Sequence, residues 1–138
     1  MTETLKTISP VDGRVFVERP LQTHIDIDRA LDTARYAQPA WTALTLAARC
    51  ELLSKAVDAF VSKAKDIAGE ITWQMGRPIS HAPGEVRGFE ERARHMLAIA
   101  PQALATIRPD DKAGFQRQIK RVPLGVVAVV APWNYPYL

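Results

Sequence analysis

The side chains with the clearest chemical potential lie close together in one uncharged stretch, Pro132-Trp133-Asn134-Tyr135-Pro136. An asparagine amide held on a stiff turn can donate an N–H to an oxygen that gains negative charge during a reaction. Removing such a donor lowers rates by about 10² to 10³ in other enzymes. On these residues alone the plainer account is the better supported: Pro132, Trp133 and Pro136 stiffen an ordinary turn, and Asn134 caps it.

Other candidate groups are weaker. Cys50 is the single cysteine, which excludes an internal disulfide and a cysteine-rich metal site. It falls on a helical pattern with no base specified nearby, so it reads as a structural thiol rather than a nucleophile. His24, His81 and His95 show no metal-ligand spacing, and no metal site is expected. Glu90 and Glu91 are adjacent on a helix and point in different directions, a poor arrangement for an acid–base dyad. Gly13, Gly69, Gly76, Gly84, Gly88, Gly114 and Gly125 form neither Gly-x-Gly-x-x-Gly nor a P-loop. Gly84 and Gly88 have the spacing of a membrane-dimer motif, but charged neighbours on the same helix argue for tolerated glycines.

These groups need elements to hold them, and the pattern supplies several. Pro10-Val11-Asp12-Gly13 is a turn signal between extended residues, so residues 4–19 read as a β-hairpin. Thr23 and Asp26 resemble a capping-box start, followed by Ile27, Ala30, Leu31 and Ala34 on one helical face, with the helix ending near Pro39. Thr45 caps a second helical pattern in which Leu52, Leu53, Ala56, Val57, Phe60 and Val61 form an apolar stripe. The period continues through Ala64, Ile67, Ala68 and Ile71, with a break expected near Ser62-Lys63. Gly76 suits the C-terminus, with Pro78 just beyond.

Ser80 opens a further helix to about Ala100, with Val86, Ala93, Leu97 and Ala100 inward and Glu90 paired with Arg94. Pro101 and Pro109 bracket a loop. Phe115 to Val122 alternates as an exposed strand. After a Pro123-Leu124-Gly125 turn, Val126-Val127-Ala128-Val129-Val130 is a continuous β-branched run, which reads as a strand of a parallel sheet buried on both faces. Loops at the carboxyl ends of such strands are where open α/β sheets bind ligands, which strengthens the interest of Asn134.

Composition bounds the rest. The chain has 138 residues, 47% hydrophobic and 24% charged, the profile of a globular protein. Its net charge of +3 demands neither nucleic acid nor a membrane surface. The stretch Val122 to Leu138 is too short and too proline-broken to span a bilayer. No basic and apolar leader pattern opens the chain, so a cytoplasmic protein is expected. The uncharged end also leads to the expectation that these residues belong to something longer.

The stretch from Val122 through Pro136 resembles the signature strand and loop of the NAD(P)-dependent aldehyde dehydrogenases. Three further stretches follow that family's order. Ser9-Pro10-Val11-Asp12-Gly13 resembles its opening hairpin, and Ala34 to Trp41 resembles the end of its first helix. Gly76-Arg77-Pro78, with Glu85-Val86, resembles its Gly-Lys-Pro segment. The implied fold class is α/β: an N-terminal β-hairpin, a helical segment and the first strands of a Rossmann-like cofactor domain, incomplete. Residues 1–138 would then be part of the cofactor-binding domain, without the catalytic domain.

In the family, an aldehyde is oxidised to a carboxylate through a cysteine thiohemiacetal, with NAD or NADP as cofactor and a glutamate activating the hydrolytic water. The resemblance implies that Asn134 stabilises the oxyanion and that Val130, Ala131, Pro132 and Trp133 line the cofactor. The family's catalytic cysteine, base glutamate and ribose-binding lysine fall in segments after Leu138, so the 138-residue chain alone is expected to be inactive. Some members bind a monovalent cation near residues matching Thr7 and Ile8. The supporting aspartate would fall at Val86, which cannot coordinate through its side chain, so the metal set stays empty. The implied partners are a small-molecule aldehyde and, for the full-length enzyme, further copies of itself, with no nucleic acid or membrane.

Two rivals remain. One is a non-catalytic interaction module or oligomerisation fragment. The other is a weak nucleic-acid binder using Phe115, Arg117, Lys120 and Arg121, where solvated strand charges are the simpler explanation.

Overall fold

The Pro10 to Gly13 turn folds as its chemistry dictates. In the computed structural model, which describes residues 3–110 and 112–137, strands β1 (Thr4–Ile8) and β2 (Val15–Pro20) pair antiparallel. The register runs from Thr4 opposite Pro20 to Thr7 opposite Val17, with an irregularity between Thr7 and Ile8. Gly13 takes the positive φ of 75° that closes the turn. The Asp12 carboxylate accepts from the backbone N–H of Arg14 at 3.0 Å and from its Nε at 2.7 Å. These bonds, the backbone one foremost, hold the Asp12 carboxyl below its ordinary range.

Four helices follow: α1 (His24–Ala43), α2 (Leu46–Val61), α3 (Ala64–Met75) and α4 (Pro83–Ala103). Helix α1 starts in a complete capping box. The Thr23 hydroxyl accepts from Asp26 N–H at 3.3 Å, while the Asp26 carboxylate accepts from Thr23 N–H at 3.1 Å. Thr45 caps α2 through Ala48 N–H at 3.1 Å, and the expected break falls at Ser62-Lys63. Gly76 ends α3 in the left-handed conformation, φ 79°, its N–H donating to the Thr72 carbonyl at 2.9 Å.

Helix α2 packs on α4, and α3 packs on α4. Ala68, Ile71 and Ala82 form a small buried cluster with Ile67, Met75 and Tyr137 against it. Val57 and Val86 are also buried, and the Phe60 and Phe89 rings meet at 4.4 Å across the α2–α4 seam. Arg94 bridges its own helix to α2, reaching Asp58 at 2.6 Å and the expected partner Glu90 at 2.9 Å.

Several expectations are corrected. Helix α1 does not stop at Pro39 but runs through it to Ala43. The missing N–H frees the carbonyl of Arg35, an exposed residue whose carbonyl water can satisfy. Pro101 likewise lies within α4 rather than at the edge of a loop, and α4 starts at Pro83, not Ser80. Proline is favoured in a first turn because its absent N–H would have no intrahelical partner there.

Beyond α4 the chain is extended but forms little sheet. Ile107 and Ile119 make an antiparallel bridge through bonds of 3.0 and 2.8 Å, and a second bridge joins Lys112 to Phe115. The expected exposed strand from Phe115 to Val122 is thus reduced to isolated bridges. Residues 126–130 enter no ladder, and instead of being buried on both faces Val130 is 94% exposed. β-branched residues favour extended backbone, but a strand's hydrogen bonds and burial come from neighbouring strands. Among the described residues the named sheet is β1 and β2 alone, and no helix is long and apolar enough to cross a membrane.

Candidate active site loop

The segment Trp133 to Tyr137 is fastened to the helical layer by a buried ion pair. Gly76 turns the chain out of α3, which puts Arg77 at the start of the connection to α4. Glu85 lies in the first turn of α4, where the helix dipole favours negative charge. Its side chain is fully buried, and Oε2 accepts from Arg77 Nη1 at 2.6 Å. Its other oxygen, Oε1, accepts from the backbone N–H of Tyr137 at 2.9 Å.

Arg77 uses its second arm on the same loop. Nη2 donates to the backbone carbonyl of Asn134 at 2.8 Å, and the guanidinium lies over the Tyr135 ring, 4.7 Å from its centre. The Tyr137 ring meets Phe60 edge-on at 5.2 Å, tying the loop to α2 as well. Both ends of the span from Asn134 to Tyr137 are therefore held by one carboxylate–guanidinium pair and one aromatic contact.

This loop walls a cleft of about 510 Å³. Thr7 and Ile8 of β1, Ile71 and Met75 of α3, and Trp133 and Tyr137 contribute to its lining. Trp133 is still 78% exposed. Asn134 is exposed, with its main chain pinned by Arg77. Val130, Ala131 and Pro132 are exposed as well. The structure thus brings Trp133 and Asn134 onto one anchored turn, and leaves Val130 to Pro132 as an open, uncharged approach to it.

Cys50 is a free, half-buried thiol on α2, consistent with a structural residue. Among the described residues no group of three His, Cys, Asp or Glu side chains is placed to hold a metal ion. The anchors themselves were not singled out by sequence reasoning, where Arg77 had no assigned role and Glu85 served only as part of a resemblance. No local signal marked Glu85: it adjoins inward-facing Val86, but adjacent helix positions point in different directions, and the loop N–H it accepts from lies 52 positions on.

A hairpin, a layer of helices and an extended apolar segment leading to an anchored Pro-Trp-Asn turn make up the described residues. The model of the aldehyde dehydrogenase family matches residues 1–138, and the chain belongs to that family.

Malonate-semialdehyde dehydrogenase 1 of Bacillus licheniformis is 29% identical over 136 residues, covering 99% of this chain and 28% of that protein. The crystal structure of an aldehyde dehydrogenase from Brucella melitensis biovar abortus 2308 superposes with a TM-score of 0.89 at 30% identity, over 98% of this chain and 28% of that one. PnpE, solved in complex with nicotinamide adenine dinucleotide, gives 0.89 at 31% identity with the same coverage. The chain spans a little over a quarter of the length of these relatives.

Proposed function

We propose that these residues are the N-terminal part of an oxidoreductase that converts an aldehyde to a carboxylate with NAD or NADP, and that Asn134 is its oxyanion donor. The single observation carrying this reading is the Pro-Trp-Asn turn held by Arg77 and Glu85 at the end of an open apolar segment. When a thiolate adds to an aldehyde carbon, the carbonyl oxygen takes up negative charge in the resulting thiohemiacetal. An amide N–H within about 2.7–3.1 Å of that oxygen lowers the barrier because it is already oriented. Asn134 is the residue for this role, and Trp133 with Val130, Ala131 and Pro132 lines the cofactor. NAD or NADP, when bound, supplies the acceptor for the hydride that leaves the former aldehyde carbon.

The thiolate and the water-activating glutamate belong to segments outside these residues, and Cys50 does not replace the first. In this reading, residues 1–138 are part of the cofactor-binding domain and are inactive alone. The whole protein acts in the cytoplasm as a homo-oligomer on a small-molecule aldehyde, without nucleic-acid or membrane partners. The test compares NADH formation by the aldehyde-oxidising protein and its Asn134→Ala variant. The expected fall in kcat is about 10² to 10³, and an unchanged kcat would remove Asn134 from the chemistry. NADH formation by the 138-residue chain alone would overturn the claim of inactivity.

A second reading, a non-catalytic interaction or oligomerisation module, draws on the exposure of Val127, Val129 and Val130. It predicts a stable complex with a partner subunit and no effect of Asn134→Ala on any reaction.

A further inference from the structure

We infer that Glu85 is a positioning residue for the Asn134 amide, acting through Arg77; the inference rests on the reading of Asn134 above. Glu85 is 1% exposed, and each of its carboxylate oxygens has its own donor: Arg77 Nη1 at 2.6 Å and Tyr137 N–H at 2.9 Å. The second arm of Arg77 holds the Asn134 carbonyl at 2.8 Å. One ion pair thus fixes the main chain at Asn134 and again at Tyr137. The Asn134 backbone cannot shift without stretching a charge-assisted bond at one end or the other.

A buried ion pair is a poor way to gain stability, because desolvation offsets the attraction and an apolar pair of similar volume often does as well. It is a directional way to set position. The planar guanidinium has arms at fixed angles, so aligning one on Glu85 aims the other at the Asn134 carbonyl. Position is what an oxyanion donor requires, since a misplacement of about 1 Å can cost about 10²-fold in rate. Lysine at position 77 has a single ammonium on a flexible stem and lacks this fixed fork.

The test uses Glu85→Gln, Arg77→Lys and the double variant Glu85→Met with Arg77→Met in the aldehyde-oxidising protein. Each is expected to lower kcat by roughly ten- to a hundredfold, with KM for the aldehyde little changed and Arg77→Lys the mildest. The double variant is expected to unfold at a urea midpoint close to that of the parent while staying slow, a separation that a merely structural role does not produce. Losses of kcat that track the unfolded fraction, or unchanged kcat in all three, would overturn the proposal.

A second measurement is independent of turnover. Amide exchange at Tyr137 in the 138-residue chain is expected to accelerate in Glu85→Met, and an unchanged rate would overturn the anchoring. A parent protein that oxidises no aldehyde would instead overturn the functional reading and, with it, the catalytic purpose of the anchor.

Discussion

The ring of Pro10 occupies the space that a β-carbon on Gly76 would need. Such a carbon would lie 2.9 Å from Pro10 Cγ, and Gly76 is also left-handed at φ 79°. The hairpin turn is therefore seated on the C-terminus of α3, and the contact requires glycine twice over. Gly76→Ala is expected to cost about 1–2 kcal/mol from the left-handed backbone alone, with the clash adding to it. Urea denaturation measures the loss. An unchanged midpoint would show that the Pro10 turn moves away freely.

The capping box of α1 gives a local prediction. Thr23→Ala is expected to lower stability by about 1 kcal/mol, seen as a lower thermal midpoint by circular dichroism. A midpoint equal to the parent's would show that the box contributes nothing.

Acid should weaken the same box. The Thr23 hydroxyl, and then its backbone N–H, hold the Asp26 carboxyl below its ordinary range. Below about pH 4, where an unperturbed aspartate begins to protonate, the unfolded chain binds more protons than the folded one. Stability is thus full above that point and falls as pH drops through the folded value. Asp26→Asn should flatten this acid limb in part, because Asp12 and Glu51 are held low as well. An acid limb of undiminished slope in Asp26→Asn would exclude the coupling.

Packing between α2 and α4 can be tested at Val57, which is 5% exposed. Val57→Ala removes two buried carbons and should cost about 1.5–2 kcal/mol, at ~0.8 kcal/mol per methylene plus the cavity left behind. Leu52→Ala, at a half-exposed position on the same helix, should cost markedly less. Equal losses at the two positions would contradict close packing of α2 on α4 at Val57.

The open segment from Val126 to Val130 makes a solubility prediction. Val129 is 85% exposed and belongs to no ladder, which leaves an unprotected apolar edge. Val129→Lys is expected to slow the aggregation of the 138-residue chain, followed by light scattering. Faster or unchanged aggregation would move the sticky surface elsewhere.

The features legible in the sequence were those decided within a few residues. The Thr23 and Thr45 caps, the Gly76 stop, the Ser62-Lys63 break and the Glu90–Arg94 pair all depend on neighbours in the chain. Pro39 and Pro101 misled because a proline removes one hydrogen bond, and a helix can tolerate that loss where the freed carbonyl finds another donor. The Val126 to Val130 run announced extended backbone correctly but could not announce pairing, which depends on distant strands. The stiff turn carrying Asn134 was legible from its prolines, while the role proposed for Asn134 came from the family resemblance, and the anchoring by Glu85 and Arg77 was not legible. Glu85 and Arg77 pair across only eight positions, but the loop atoms they hold lie 52 and 57 positions away, beyond the reach of any local pattern.

That separation also orders events in time. Helices α1 to α4 can nucleate from contacts a turn apart, on the scale of about a microsecond. The bonds from Arg77 to Asn134 and from Glu85 to Tyr137 must close a long loop and bear its entropy first. On a chain emerging from the ribosome, Glu85 appears with half of its carboxylate unpartnered and waits for Tyr137. By this entropy argument the Pro-Trp-Asn turn docks late and opens early, so local unfolding would displace Asn134, the oxyanion donor we propose, while the helices still stand.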